Sequence, residues 1–103
     1  MNQFGEKIKE LREQKGLLQK HIASKLDIDT PMMSKIERGE RKAKREQVTI
    51  LAKTLATDND NLLSLWLADQ VYDVVKDENM ALKAIQVAEQ EIKYEITKKY
   101  NEF

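Results

Sequence analysis

Phe4, Ile8 and Leu11 are spaced by four and three, which places one apolar stripe on a first helix; Lys15-Gly16 ends it, with glycine as a left-handed cap. Leu18, Ile22 and Leu26 share a face of a second helix of about three turns, with the small Ala23 beside them where another helix can approach. Asp27-Ile28-Asp29-Thr30-Pro31 then breaks the pattern: Asp tolerates turn conformations, Thr30 suits an N-cap, and Pro31 suits the first helical position. A third helix is predicted from here, with Met33 and Ile36 inward and Gly39 as its terminal cap. Two short helices joined by a tight turn form a helix-turn-helix pattern.

Glu40-Arg41-Lys42-Ala43-Lys44-Arg45-Glu46 is too charged to be a core segment, and it predicts an exposed connection. Val48, Leu51, Ala52 and Leu55 mark a fourth helix by their spacing, and Asp58 suits the cap of a fifth over residues 60 to 76. That helix carries Leu62, Leu63, Leu65, Trp66, Leu67, Val71, Tyr72, Val74 and Val75, more apolar side chains than one face can hold. After Asp77-Glu78-Asn79, a last helix from 78 to 100 has a narrow stripe of Leu82, Ile85, Ala88, Ile92 and Ile96, ending with Tyr100 and Phe103. The fold class that follows is all-α: a five-helix domain over residues 1–63 and a helical extension over 64–103.

Composition agrees with helices. Charged residues make up 35% of the 103 and hydrophobic ones 41%, with only three Gly and one Pro to interrupt. There is no cysteine, which removes disulfides and thiolate metal sites and fits a reducing cytoplasm. The N-terminal residues lack the layout of a signal peptide, and no apolar run approaches a membrane span, so a cytoplasmic location without membrane contact is expected. The formal net charge of zero conceals an asymmetry. Residues 1 to 57 hold 13 Lys+Arg against 8 Asp+Glu, whereas residues 58 to 103 hold 5 against 10. A basic front half and an acidic back half imply separate tasks.

Gly16-Leu-Leu-Gln-Lys-His-Ile-Ala-Ser-Lys-Leu26 followed by Ile28-Asp-Thr-Pro-Met-Met-Ser-Lys-Ile-Glu-Arg-Gly39 resembles the phage-repressor-like (Xre, or lambda-repressor-like) helix-turn-helix family. The resemblance spans residues 4 to 63. It rests on the opening Phe4-Gly5-x-x-Ile8-x-x-Leu11-Arg12, on Gln19 early in helix two, and on Ser34-Lys-Ile-Glu-Arg-Gly39. It implies that helix three lies in the major groove and that Thr30, Pro31, Met32, Ser34 and Lys35 read bases. Lys20, Arg38, Arg41, Lys42 and Lys44 are implied as phosphate contacts, and Gln19 as a residue that contacts a phosphate or buttresses the reading residues. Arg12 and Glu37 fall where the family forms a structural ion pair. The chain departs from the pattern at Leu18, where a capping Ser, Thr or Asn is usual, at Asp27 in place of a turn Gly, and at Pro31, which replaces a residue that often bonds to bases.

Readers of this type act as two-fold dimers, because one short recognition helix supplies too little specificity. Leu65, Trp66, Tyr72, Leu82, Ile85, Ile92 and Ile96 are therefore expected at a homodimer interface. The alternatives are that the last helix packs back on its own domain, or that the C-terminal helices bind a partner protein. The second would suit an antitoxin, and a restriction-modification controller is a further role within the same family. His21 has no companion for a metal site, Asp69 and Asp73 read as a solvated face, and Trp66, Tyr72 and Tyr100 read as interface more than ligand pocket. No catalytic constellation is present, so neither an enzyme nor a cofactor is expected.

Overall fold

The computed structural model describes residues 1–101 and consists of helices, with no strand among them. The helices are α1 (Gln3–Gln14), α2 (Gln19–Leu26), α3 (Thr30–Glu37), α4 (Arg45–Thr54), α5 (Asn59–Val75) and α6 (Ala81–Asn101). Phe103, expected to continue the final stripe, lies outside the described residues. Two units are distinguished, Met1–Tyr72 and a second beginning at Asp73.

In the first unit the core is a single cluster. Phe4 and Ile8 of α1, Ile22, Ala23 and Leu26 of α2, Met33 and Ile36 of α3, Val48, Leu51 and Ala52 of α4, Leu55 and Leu62 are all buried. Ala43 joins them at 1% exposure, which corrects the expectation that residues 40 to 46 lie wholly outside. A methyl group between charged neighbours carries too little apolar surface to register as a stripe.

The helix ends explain themselves by local chemistry. At α3 the cap is Asp29, not Thr30, because the Asp29 carboxylate accepts from the Met32 backbone N–H at 2.8 Å. Leu18 offers no such acceptor, and the His21 Nδ1 atom instead accepts from the Leu18 N–H at 3.2 Å. Asp27 closes α2 in the left-handed region with φ 56°. At α1 the accounting is complete for the first turn. Asp69 of α5 accepts from Gln3 and Phe4 N–H, each at 3.0 Å; Asn2 Oδ1 accepts from Gly5 at 3.1 Å, and Asn2 O from Glu6 at 3.1 Å. Asp69, expected on a solvated face, is thus the anion at a helix N-terminus, favoured by the backbone dipoles. Asp69→Ala is expected to lower stability by about 1 kcal/mol and to speed amide exchange at Gln3 and Phe4; unchanged exchange there would remove Asp69 from this role.

α5 divides its apolar residues. Leu62 is buried, and Leu63, Leu65 and Trp66 pack on the core, whereas Leu67, Val71, Tyr72 and Val74 are exposed. In the second unit, α6 has no buried residue and leaves Leu82, Ile85, Val87, Ile92, Tyr94 and Ile96 exposed. Among the described residues no helix is long and apolar enough to cross a membrane.

Candidate nucleic-acid interface

α2 and α3 are joined by the three residues Asp27 to Asp29, and the orientation of α3 is fixed from its buried side. Met33, Ile36 and Glu37 point into the body. Thr30, Pro31 and Lys35 are exposed, and Met32 and Ser34 are half-buried. Among the residues expected to read bases, Met32 therefore divides its surface: it packs on the core edge and also lines a shallow cleft of about 100 Å³. Ile28 and Ile36 complete the apolar wall of that cleft, and Arg41, Lys42, Lys44 and Gln47 form its polar rim.

Behind α3, Glu37 is the centre of a polar network in the protein interior. Its side chain is 2% exposed, and its carboxylate accepts a fork from Arg12, Nε to Oε2 at 2.7 Å and Nη2 to Oε1 at 3.1 Å. Arg12 Nη1 donates to the Leu17 carbonyl at 3.0 Å, so all three guanidinium nitrogens are engaged. The hydrogen bonds to Glu37 hold the Arg12 pKa above its ordinary value despite the opposing effect of burial, with the charges of Glu37 and Glu13 adding to the rise. Gln19 Nε2 donates to Glu37 Oε1 at 3.0 Å, so that of its two expected roles, phosphate contact or buttress, this bond is of the second kind. Asn2 Nδ2 donates to the Glu37 backbone carbonyl at 2.7 Å. α1, α2 and α3 are thereby bonded at one residue, and no buried side-chain polar atom among those described lacks a partner.

The segment after α3 is supported from α5. Trp66 Nε1–H donates to the Ala43 carbonyl at 2.8 Å, and Lys42 Nζ lies 5.8 Å from the Trp66 ring centroid, within cation–π reach. Lys42 Nζ also donates to Gln70 Oε1 at 3.4 Å. Trp66 and Leu65, expected between protomers, thus face the core of their own unit, and the indole N–H is satisfied within the chain. Arg41, Lys44 and Lys20 are exposed, and no ion pair engages them among the described residues.

Arg38 is held by its neighbours. Its Nε and Nη2 donate to the two Glu40 carboxylate oxygens at 3.1 and 3.0 Å, and Nη1 donates to Ser34 Oγ at 2.5 Å. Arg38 hydrogen bonding, then its charge, lowers the Glu40 pKa, with Lys35 adding to the effect.

Sequence reasoning missed Asn2, Glu40, Asp69 and the strut made by Trp66. Asn immediately before the first helical residue is a readable capping signal. Asp69 and Trp66 carry none, because their partners lie 65 and 23 residues away. Among the described residues no group of His, Cys, Asp and Glu could hold a metal ion.

What this arrangement can do follows from its parts: a short exposed helix, rigidly backed, next to a rim of cations, suits docking against a polyanion whose grooves admit a helix. Comparison with known proteins agrees. A family model described as a helix-turn-helix domain matches residues 3–66, covering α1 to α4 and the start of α5. No curated protein and no solved structure matches the chain. The match spans the unit whose core positions α3, and on that ground the chain belongs to the helix-turn-helix domain family, a DNA-binding family.

Proposed function

We propose that the protein is a phage-repressor-like (Xre-type) transcriptional regulator of the cytoplasm, laying α3 in the major groove of duplex DNA and repressing by occluding a promoter. The observation that carries the reading is the continuity of the outward face of α3 with the cationic rim of Arg41, Lys42 and Lys44. Lys35 is suited to donate to guanine O6 and N7, and Thr30, Pro31, Met32 and Ser34 line the same approach. Lys20, Arg38, Arg41, Lys42 and Lys44 supply phosphate contacts, and Gln19 acts from behind by holding Glu37.

The protein acts as a two-fold dimer in this reading. Of the residues expected at the interface, Tyr72, Leu82, Ile85, Ile92 and Ile96 are exposed. A helix of 21 residues with no buried side chain draws little from its own packing and gains from a partner that covers its stripe. A second copy fits the symmetry of an operator. The same exposure also favours a second reading, in which a different protein covers α6, as with an antitoxin.

The test is selection of binding sites from random duplexes with sequencing, coupled to light scattering and a salt series. A two-fold symmetric site and a dimer are expected. Lys35→Ala is expected to relax one base position by about 1 to 3 kcal/mol. Lys42→Ala/Lys44→Ala should flatten the slope of log K against log salt by about 0.9 for each phosphate that is no longer neutralised. No enriched site, with weak binding at moderate salt, would leave the helix-turn-helix as a scaffold and overturn the reading.

A further inference from the structure

Glu40 follows the helix-ending Gly39, whose φ of 74° turns the chain back on α3. Its backbone is anchored there, since the Glu40 N–H donates to the Lys35 carbonyl at 2.9 Å and the Arg41 N–H donates to the same carbonyl at 3.3 Å. The turn delivers the Glu40 carboxylate to the Arg38 guanidinium as a two-oxygen fork. A phosphate would meet Arg38 with the same geometry, two anionic oxygens on two parallel N–H groups. Ser34 accepts a third donor of the five that a guanidinium carries. By contrast Lys35, Arg41 and Lys44 are engaged in no ion pair among the described residues.

We propose that Glu40 is an internal competitor for DNA phosphate at Arg38 and thereby sets the affinity of the protein for duplexes. The inference rests on the DNA-binding reading above and deepens it. In the free protein the Arg38–Glu40 pair carries no net charge, so Arg38 contributes no phosphate neutralisation until the carboxylate is displaced. Displacement also releases the Ser34 hydroxyl, which then becomes available to a base edge or a phosphate. The pair is exposed, 55% and 56% at the two side chains, so it is weak enough to exchange. A carboxylate left beside a phosphate repels it, and the cost falls on every duplex regardless of sequence.

The experiment uses the full chain and a random-sequence duplex, with wild type, Glu40→Gln, Arg38→Ala and the double variant titrated between about 50 and 200 mM salt. Glu40→Gln is expected to bind about 3- to 10-fold more tightly, because one exposed pair no longer opposes binding and one negative charge is gone. Its salt slope should match that of the wild type, because displacement lets Arg38 neutralise the same phosphate in both complexes, and the gain is in affinity alone. In the Arg38→Ala background the same substitution should gain less than about twofold, with no change of slope. A gain of less than about twofold for Glu40→Gln, or an equal gain with and without Arg38, would overturn the proposal, since Glu40 would then act at most as a generic charge. A second readout needs no DNA: the Arg38 Nε–H resonance of the free protein should lose protection from exchange in Glu40→Gln. If that protection depends on Glu40 but none of the four proteins binds the duplex, the DNA reading itself fails and takes the competitor role with it. If the protection does not depend on Glu40 while binding persists, the competitor role alone fails.

Discussion

Arg12→Ala is expected to destabilise the first unit by about 3 to 5 kcal/mol. The Glu37 side chain is 2% exposed, and its carboxylate accepts three hydrogen bonds from two side chains, two from Arg12 and one from Gln19. Removing the guanidinium leaves a buried anion with one neutral donor, and water has little access to replace the fork. The Leu17 carbonyl loses its side-chain donor at the same time. Against a typical stability of about 5 to 15 kcal/mol, such a loss decides whether the unit is folded. Thermal melting checks it: for a domain of this size each kcal/mol shifts the midpoint by about 4 to 8 °C, so a fall well above about 10 °C is expected. Replacing both partners separates burial from charge. Arg12→Met/Glu37→Leu should recover part of the loss, because no buried charge remains, while the Leu17 carbonyl and the Gln19 amide still lose their partners. An Arg12→Ala protein melting with the wild type would show that the pair is solvated in practice.

Gly5→Ala is the second. Helix propensity alone favours alanine over glycine in a helix interior by about 1 kcal/mol. The opposite sign is expected, because a Cβ at Gly5 would stand well inside van der Waals distance of the Glu37 carbonyl oxygen, a backbone atom that cannot swing aside. It would also stand 2.6 Å from both polar side-chain atoms of Asn2, displacing the Asn2 bridge to Glu37. A net loss of about 3 kcal/mol follows from forcing the helices apart. Gly16 is the control. It has φ 65° but nothing within 4 Å of an added Cβ, so Gly16→Ala carries only the left-handed backbone cost of about 1 kcal/mol. Chemical denaturation of the two variants checks the contrast, and equal losses would show that close approach of α1 to α3 is not what requires Gly5.

Both predictions bear on function through α3. Glu37 stands at its last turn, its carboxylate bonded to α1 and α2 residues and its carbonyl to Asn2, so the helix expected in the groove is held from behind. In the proposed reading, a recognition helix held loosely would lose the register that Lys35 or Ser34 needs to address one base pair. Partial loss of the network is therefore expected to weaken specific binding before it unfolds the unit.

Most of the helical layout was legible because its signals are local. The stripe Phe4, Ile8, Leu11, the turn before Pro31, and the glycines at 16 and 39 each act within one or two turns of chain, and periodicity reports such features directly. The pattern from Gly16 to Gly39 also carried the helix-turn-helix assignment, since spacing alone determines which side chains share a face. Tertiary structure decided what depends on distant partners. Asp69 caps α1 and Trp66 supports Ala43, although composition and spacing read the first as a solvated face and the second as interface, and Gln19 takes Glu37 as its partner, which spacing does not reveal. The physical reason is that a polar side chain takes whichever partner the fold brings within about 3 Å. Periodicity can assign a residue to a face, whereas the donor or acceptor waiting on that face is set by the packing of helices far away in the chain.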